Sequence, residues 1–345
     1  MVMLGIDVHK ATHTAVAVDE VGRQIGQRMV TANDAGHRQL LEWALRQWPG
    51  EGLRFALEDC RQVSTRVERT LLLAGQTVVR VPPKLTAGSR SSARTRGKSD
   101  PIDALAIARA ALREPDLPTA TLHGQFREIR LLVDHREDLV AARTQMQNRL
   151  RWHLHALEPG QEPGPRCLDR YCELDRLTAW LADREQTVLV RLAGELVADI
   201  RTHTVRINQL KQELAQLVTP LAPRLLALPG CGVLITAKIL GEVGQVSRFR
   251  SESCFAMHAG VAPIPASSGK TTRYRLARGG NRQLNAALHR IAISQIRLGS
   301  PYYQRRRAGG DTTMEAIRAL KRRLARVVYR LLHTVETTDS LAVAA

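Results

Sequence analysis

The chain has 345 residues with 51 Lys and Arg against 33 Asp and Glu, which gives a net charge of +18. This excess favours a polyanionic partner, most simply nucleic acid, with a membrane surface as the weaker option. Only 4% of the residues are aromatic, which excludes base stacking as the main binding device. The sequence shows neither an apolar run of transmembrane length nor a signal peptide, so it predicts a soluble, cytoplasmic protein without a membrane partner.

Cysteine and histidine give no metal-binding pattern. The five cysteines are scattered and form no CxxC pair, which is typical of buried thiols rather than of a zinc set. The eleven histidines show no metal-ligand spacing either. The sequence therefore directs attention to carboxylates as the candidate ligands.

The first 113 residues predict the element order βββαβαβα. The predicted strands cover 2–7, 13–19, 24–31, 53–57 and 77–81, and the predicted helices begin after Asn33 or Asp34 and cover 63–74 and 101–113. An antiparallel meander extended by parallel strands is the arrangement of a ribonuclease H-like fold. We therefore predict an α/β N-terminal domain over residues 1–120.

Four carboxylates fall at matching places in this order. Asp7 ends the first strand, Glu58 ends the fourth, and Asp100 and Asp103 open the last helix. In this fold the two strand ends lie side by side and the helix packs across them, so the acids should converge. Their mutual repulsion requires divalent cations, and an oxygen-rich cluster suits Mg²⁺, with Mn²⁺ as a substitute. A pair of such ions clamps the attacking and leaving oxygens of a phosphodiester.

The stretch 98–103, KSDPID, has a second interpretation as a helix cap. Pro101 belongs in a first helical turn, which places Asp100 at the N-cap and Asp103 at the third helical position. Taken alone, this stretch is better explained by a helix cap behind a solvated basic loop. The basic residues of that loop are Arg90, Arg94, Arg96 and Lys98. The metal site is favoured because all four acids coincide with the fold order.

The middle of the chain predicts two long helices. A partial heptad of leucines runs over 126–157, a Pro/Gly-rich segment follows over 158–170, and apolar residues three and four apart continue from about 174 to 218. This pattern predicts a helical arm over residues 121–218. Both a dimerising coiled coil and an intramolecular helical pair remain open.

The predicted C-terminal domain spans 219–337, before a tail at 338–345, and is mainly helical. Its segment 229–232, PGCG, precedes an apolar helix, as in a helix-hairpin-helix turn. Gly230 and Gly232 would let the backbone approach a phosphate. A tight turn between two core helices would look the same.

A cationic loop follows, in which Ser267 and Ser268 precede a glycine. Its candidate phosphate contacts are Lys270, Arg273 and Arg275. A serine in such a loop predicts a phosphate ligand or a nucleophile toward phosphate, although a Ser/Gly surface loop has the same composition.

Five segments, in order along nearly the whole chain, resemble DEDD-type insertion-sequence transposases, the insertion-sequence family numbered one hundred and ten. These segments are 5–10 (GIDVHK), 57–58 (LE), 98–104 (KSDPIDA), 228–232 (LPGCG), and Ser268-Gly269 followed by Gly280-Asn281. The resemblance implies a RuvC-like domain, a coiled-coil arm and a transposase domain with a catalytic serine. By position it implies that Asp7, Glu58, Asp100 and Asp103 bind Mg²⁺. Ser268 is the expected nucleophile, forming a phosphoserine link to DNA, with the adjacent Ser267 as the alternative.

The resemblance also implies partners. Members of the family are RNA-guided recombinases, so we expect donor and target DNA, a structured non-coding guide (bridge) RNA and a homo-oligomer, either dimer or tetramer, near the bacterial nucleoid. The expected nucleic-acid contacts are Arg94, Arg96, Lys98, Gly230, Gly232, Lys270, Arg273 and Arg275. Two other functions fit the residues alone. One is a Mg²⁺-dependent nuclease of the junction-resolvase type, in which activated water attacks, and the other is a non-catalytic nucleic-acid-binding protein.

Overall fold

A computed structural model gives the fold and describes residues 1–58, 63–91, 97, 99–120, 124–267, 274–277 and 279–343. The chain divides into two compact units. The first, the sheet unit, comprises residues 1–124, 244–285 and 309–333. The second, the helical unit, comprises residues 125–243, 286–308 and 334–345. The domain boundaries expected at 120, 218 and 337 stay predictions.

The sheet unit is built on five strands. They are β1 (Val2–Val8), β2 (Thr12–Val18), β3 (Gln24–Thr31), β4 (Leu53–Glu58) and β5 (Thr77–Val81). Their order in the sheet is β3-β2-β1-β4-β5, with β1, β2 and β3 antiparallel and β1, β4 and β5 parallel. The predicted mixed α/β, ribonuclease H-like arrangement of the N-terminal domain is confirmed.

Helices cover both faces of this sheet. They are α1 (Asp34–Gln47), α2 (Thr65–Leu73), α3 (Pro83–Ser91) and α4 (Asp100–Arg113). The even-numbered residues of β1 are buried in one core with α1 and α2, whereas Met3 is buried in a second core with α4. Because strand side chains alternate between faces, Asp7 projects to the same side as Met3, toward α4.

Gly5 sets how closely α4 lies on the sheet. A Cβ placed on Gly5 would come 2.1 Å from the backbone oxygen of Ala104 and 2.4 Å from the backbone nitrogen of Ala108. No side chain fits between strand and helix at that point. The first turn of α4 therefore lies directly over the end of β1.

The start of α4 differs by one residue from the prediction. Ser99, in an extended conformation, is the N-cap, so Asp100 is the first helical residue and the placement of Asp100 at the N-cap is wrong. The N–H of Asp103 donates to the carbonyl of Ser99 at 3.0 Å, which closes the first turn. Pro101 fits because an N–H in the first turn has no helical partner to lose.

The helical unit begins with α5 (Gly124–Leu157), α6 (Tyr171–Ala182), α7 (Val188–Leu221), α8 (Pro223–Leu226) and α9 (Val233–Val243). Apolar side chains of α5, α6 and α7 form one buried core. Arg143 of α5 also donates to Thr204 of α7 at 3.0 Å. These helices thus pair within the chain at this end, and the coiled-coil arm stays a prediction.

The single helix expected from 174 to 218 is wrong, because the structure has two helices there. Residues 183–187 separate α6 from α7. Thr187 begins the second helix as its N-cap, and its side chain accepts a hydrogen bond from the N–H of Val190 at 3.3 Å. This cap satisfies one of the free N–H groups of a new helix and stabilises the interruption.

The remaining elements are α10 (Glu252–His258), β6 (Pro263–Pro265), β7 (Tyr274–Leu276), α11 (Arg282–Arg297), α12 (Pro301–Ala308) and α13 (Thr313–Val343). The two strands pair antiparallel, with Ile264 opposite Arg275. The last helix, α13, is the longest of this group. Among the described residues, no helix combines the length and apolar character that crossing a bilayer requires.

Candidate metal centre

Strand register brings two of the predicted acids to one edge of the sheet. Ile6 of β1 lies opposite Leu57 of β4 in a parallel pair. Asp7 and Glu58 follow directly, so they occupy the carboxyl ends of neighbouring strands. Glu58 itself lies opposite Val81 of β5. The prediction that the ends of the first and fourth strands meet is confirmed.

A histidine completes the cluster with Asp7 and Asp100. Nε2 of His9 lies 3.0 Å from Oδ2 of Asp7 and 3.4 Å from Oδ1 of Asp100. One candidate ligand atom from each of the three residues lies within 4.8 Å of the others. Two carboxylates and an imidazole at such spacing are a donor set that fits a divalent cation.

Asp103 is held by an arginine. Nη1 of Arg90, in the last turn of α3, donates to Oδ1 of Asp103 at 2.5 Å. The Asp103 side chain is only 15% exposed. A charge-assisted bond of this kind restricts the carboxylate to one orientation.

The electrostatics of Asp7 show the expected repulsion. Burial raises the pKa of Asp7, His9 lowers it by charge and hydrogen bonding, and the negative charges of Asp103 and Asp100 raise it again. The Asp7 carboxylate is thus half-buried beside two other acids. A bound cation would offset both the burial cost and the repulsion.

The other predicted site residues fall in three groups. Ser268, Lys270, Arg273, Arg94, Arg96 and Lys98 lie outside the described residues. Ser267 and Arg275 are described and exposed. Ser267 lies two residues after β6, and Arg275 lies within β7. Gly230 and Gly232 form the turn before α9.

The two glycines of that turn differ in their surroundings. Gly230 has a φ of 85°, and a Cβ there would lie 2.7 Å from Cβ of Ser294. Nothing lies within 4 Å of a Cβ placed on Gly232. Packing against α11 therefore explains Gly230, whereas Gly232 faces open space. The helix-hairpin-helix interpretation and the phosphate contacts stay predictions.

Asn285 and Lys321 form a hydrogen-bonded network at the base of the β6–β7 hairpin. The sequence analysis did not predict this network. Nδ2 of Asn285 donates to the carbonyls of Ala259 and Gly260, each at 2.9 Å. Nζ of the buried Lys321 donates to Oδ1 of Asn285 at 2.5 Å. Burial lowers the pKa of this lysine. These bonds fix the chain just before β6.

His9 and Arg90 are side chains of this cluster that the sequence reasoning did not single out. His9 lies two residues after Asp7, a spacing that places side chains on the same face of an extended chain. That spacing was the available signal. The spacing of the histidines in the sequence could not indicate this cluster, because the second carboxylate beside His9 comes from α4, about ninety residues further along the chain.

The fold and this cluster define a class of protein. A ribonuclease H-like sheet that carries carboxylates at the end of its central strand suits a divalent cation and a phosphodiester substrate.

Comparison with known proteins narrows this class to a family. A DEDD transposase model of IS110 matches residues 4–159, and the model for transposases of the IS116/IS110/IS902 family matches residues 222–307. The IS116 protein of Streptomyces clavuligerus is 29% identical, covering 96% of this chain and 94% of that protein. The IS110 protein of Streptomyces coelicolor is 30% identical, covering 68% and 70%.

This chain belongs to the IS110 family of insertion-sequence transposases and is a DNA transposase. Among solved structures, T. thermophilus RuvC in complex with a Holliday junction is 20% identical, with a TM-score of 0.26 over 33% of this chain and 95% of that one. This structural similarity is too low to support a function, and the identification as a transposase rests on the sequence family.

Proposed function

We propose that this transposase binds Mg²⁺ through Asp7, Glu58, Asp100 and Asp103 and cleaves DNA strands with Ser268 as the nucleophile. The convergence of Asp7, His9 and Asp100 within 4.8 Å is the observation that carries the metal site. The register of Asp7 beside Glu58 and the charge of Asp103 near Asp7 support the full set of four. Mg²⁺ is the ion that an oxygen-rich set favours, with Mn²⁺ as a substitute.

The residues of the chain have separate tasks in this proposal. Asp7 is held by burial and by its bond to His9, and Asp103 is held by Arg90. When bound, Mg²⁺ supplies Lewis-acid polarisation of the scissile phosphate and stabilises the leaving oxygen. Arg275 neutralises phosphate charge, in line with its exposed place on β7, and Arg273 is proposed for the same task.

The covalent step balances without an added reactant. Oγ of Ser268 forms a bond to phosphorus while the bond from phosphorus to the leaving deoxyribose oxygen breaks, and the hydroxyl proton ends on that oxygen. The phosphoserine link keeps the bond energy, so a hydroxyl of another DNA strand reverses the attack and joins the new strand.

The placement of the hairpin within the sheet unit supports this pairing of acids and serine. Residues 244–285 and residues 1–124 belong to the same compact unit. A Cβ placed on Gly279 would lie 3.2 Å from Cδ of Lys84, in the first turn of α3. The helix that holds Asp103 through Arg90 thus also contacts the segment that follows the hairpin.

Guidance by a structured non-coding RNA and assembly into a homo-oligomer complete the proposal. A net charge of +18 suits a protein that holds an RNA and two DNA duplexes. In this proposal the guide RNA selects the DNA sequence by base pairing. The protein then needs no base-reading motif of its own, and its sequence shows no strong one. Sequencing the RNA that co-purifies with the protein tests this part. A discrete RNA encoded beside the gene is expected, and bulk cellular RNA would contradict guidance.

Denaturing gels that detect protein–DNA adducts test the nucleophile. We expect adducts with the wild-type protein and with Ser267→Ala, and none with Ser268→Ala, which should still bind RNA. Adducts that vanish only with Ser267→Ala would move the assignment by one residue. Adducts that survive both changes would refute a serine nucleophile, and hydrolysed ends without any adduct would indicate activated water. Asp7→Asn should abolish cleavage, and normal cleavage by that variant would refute the metal site.

A further inference from the structure

An exposed tryptophan near the end of α5 is unlike the other tryptophans of the chain. Trp152 is 74% exposed. Trp43 and Trp48 pack edge to face against each other in the sheet unit. The guanidinium of Arg184 covers the ring of Trp180 at 3.9 Å. A single exposed apolar residue is common on protein surfaces, so the residues around the ring decide whether Trp152 serves a ligand.

Trp152 lines a concave site of about 400 Å³. The other lining residues are Asn148, Arg151, His155 and Glu162. Asn148 and His155, four residues before and three residues after Trp152, share its face of α5, and Arg151 lies beside that face. Roughly 300–1,000 Å³ is the usual size of a small-molecule pocket.

The far wall of this site is held in place before any ligand binds. Glu162 lies in the segment after α5, and its carboxylate accepts hydrogen bonds from Nδ1 of His155 and from the N–H of Gly160. Nε of Arg151 reaches the carbonyl of Pro163 at 3.5 Å. The carboxylate of Glu162 is thereby hydrogen-bonded within the wall, and the indole face is left as the open surface.

The charge around the site suits a polyanion. No acidic residue occurs in the sequence between Asp138 and Glu158, whereas Arg143, Arg149 and Arg151 all do. An aromatic ring beside guanidinium and amide groups is how proteins hold unpaired bases, with the ring stacking on the base and the cations meeting the phosphates.

We propose that this cavity binds an unpaired nucleotide of a single-stranded nucleic acid, with the base stacked on Trp152 and the phosphate beside Arg151. Oδ1 of Asn148 accepts a hydrogen bond from Nη1 of Arg151 at 3.4 Å, and Nδ2 of Asn148 then donates to the edge of the base. This site lies in the helical unit and requires neither the carboxylates nor Ser268. It adds a stacking contact to a chain whose general affinity for nucleic acid comes from its charge.

Fluorescence anisotropy with the full-length protein tests the proposal. The probes are a labelled 12-nucleotide oligouridine, the matching oligothymidine and a fully paired duplex of the same length. Trp152→Ala should weaken single-strand binding at least about fivefold while leaving duplex binding within about twofold. Trp152→Phe, which keeps an aromatic ring, should retain most of the affinity. A loss confined to oligouridine or to oligothymidine assigns the nucleotide to RNA or DNA, and a loss with both assigns recognition to the base.

Leu131→Ala is the matched control, because Leu131 is another exposed apolar residue of α5, at 57% exposure. It should bind every probe like the wild type. An equal loss on single strands and duplex by Trp152→Ala, or no loss at all, would overturn the proposal. So would a change in sedimentation with unchanged nucleic-acid binding, since that result would make the surface a contact between copies of the chain.

Discussion

The edge of the sheet at Asp7 and the core of helices α5, α6 and α7 are assembled by different kinds of contact. At the sheet edge, backbone meets backbone, since Gly5 leaves no space between β1 and α4. In the helical unit, leucine side chains fill the space between the helices. Backbone contacts have no rotamers with which to adjust, whereas side-chain cores relax in part.

This difference indicates which region can hold catalytic groups in fixed positions. Strand register and the packing of a helix fix the positions of the candidate ligands on β1 and α4. The position of each ligand therefore does not depend on contacts with the other ligands. The surface around Trp152 lies on a helix whose opposite face is buried, and it can change without disturbing the core. Four measurements test this contrast, beginning with the one of largest expected effect.

Gly5→Ala should destabilise the sheet unit by about 3 kcal/mol or more, because the added Cβ meets backbone atoms of Ala104 and Ala108. The first turn of α4 would move, so DNA cleavage should fall with stability. Urea unfolding followed by circular dichroism, together with a cleavage assay, checks both. Wild-type stability in this variant would refute the claim that the backbone contact fixes the site.

Acid should weaken the sheet unit through a buried histidine pair. The rings of His13 and His37 stack, with their Nε2 atoms 3.1 Å apart. Burial, together with the charge of His37, lowers the pKa of His13 to about 4, and burial also lowers the pKa of His37. Between these pKa values and the ordinary histidine pKa, the unfolded chain therefore binds protons at His13 and His37 that the folded chain does not bind.

The stability that the neutral pair provides is complete above pH 6.5 and is lost as the pH falls from there toward 4. We expect a loss of about 2 kcal/mol between pH 7 and pH 5 from His13 alone. Urea midpoints at the two pH values measure it. His13→Phe, which keeps an aromatic ring beside His37, should show a smaller decline, and an unchanged decline would assign the acid sensitivity to other groups.

Removing His9 should alter metal preference. His9→Asn takes an imidazole from a donor set that otherwise consists of carboxylates, and imidazole favours Mn²⁺ relative to the harder Mg²⁺. We expect about a tenfold loss of Mn²⁺ affinity and a smaller loss for Mg²⁺. Isothermal titration calorimetry measures both, with Asp7→Asn as the control that should abolish them. Unchanged affinities for both ions would exclude His9 as a ligand.

A glycine-to-alanine substitution in the helical unit should change the stability in the opposite direction from Gly5→Ala. Gly194 lies inside α7, and a Cβ placed there meets nothing within 4 Å. Gly194→Ala should stabilise the helical unit by about 0.5–1 kcal/mol, because alanine loses less conformational entropy on entering a helix. Urea unfolding measures the gain, and a loss of stability would contradict the contrast between the two regions.

The sequence predicted the sheet well because its signals are local. Five strands separated by turns and helices leave few topologies, and the fold order then placed Asp7 beside Glu58. The helix start at Asp100 was off by one residue because proline is tolerated at either of the first two helical positions. The gap between α6 and α7 was missed because residues 183–187 contain neither proline nor glycine.

Contacts between distant segments could not be predicted. His9 meets Asp100, and Arg90 meets Asp103, only because α3 and α4 return to the end of β1. Lys321 and Asn285 meet between α13 and α11. Such pairs depend on how helices cross, which the periodicity of one segment does not encode.

The close seating of α4 on β1 also limits how this transposase can be altered by mutation. The atoms that exclude a larger residue at position 5 are the oxygen of Ala104 and the nitrogen of Ala108, which every amino acid except proline carries unchanged. No replacement in α4 can therefore restore a variant that has lost Gly5. Libraries that diversify this protein should keep that glycine constant.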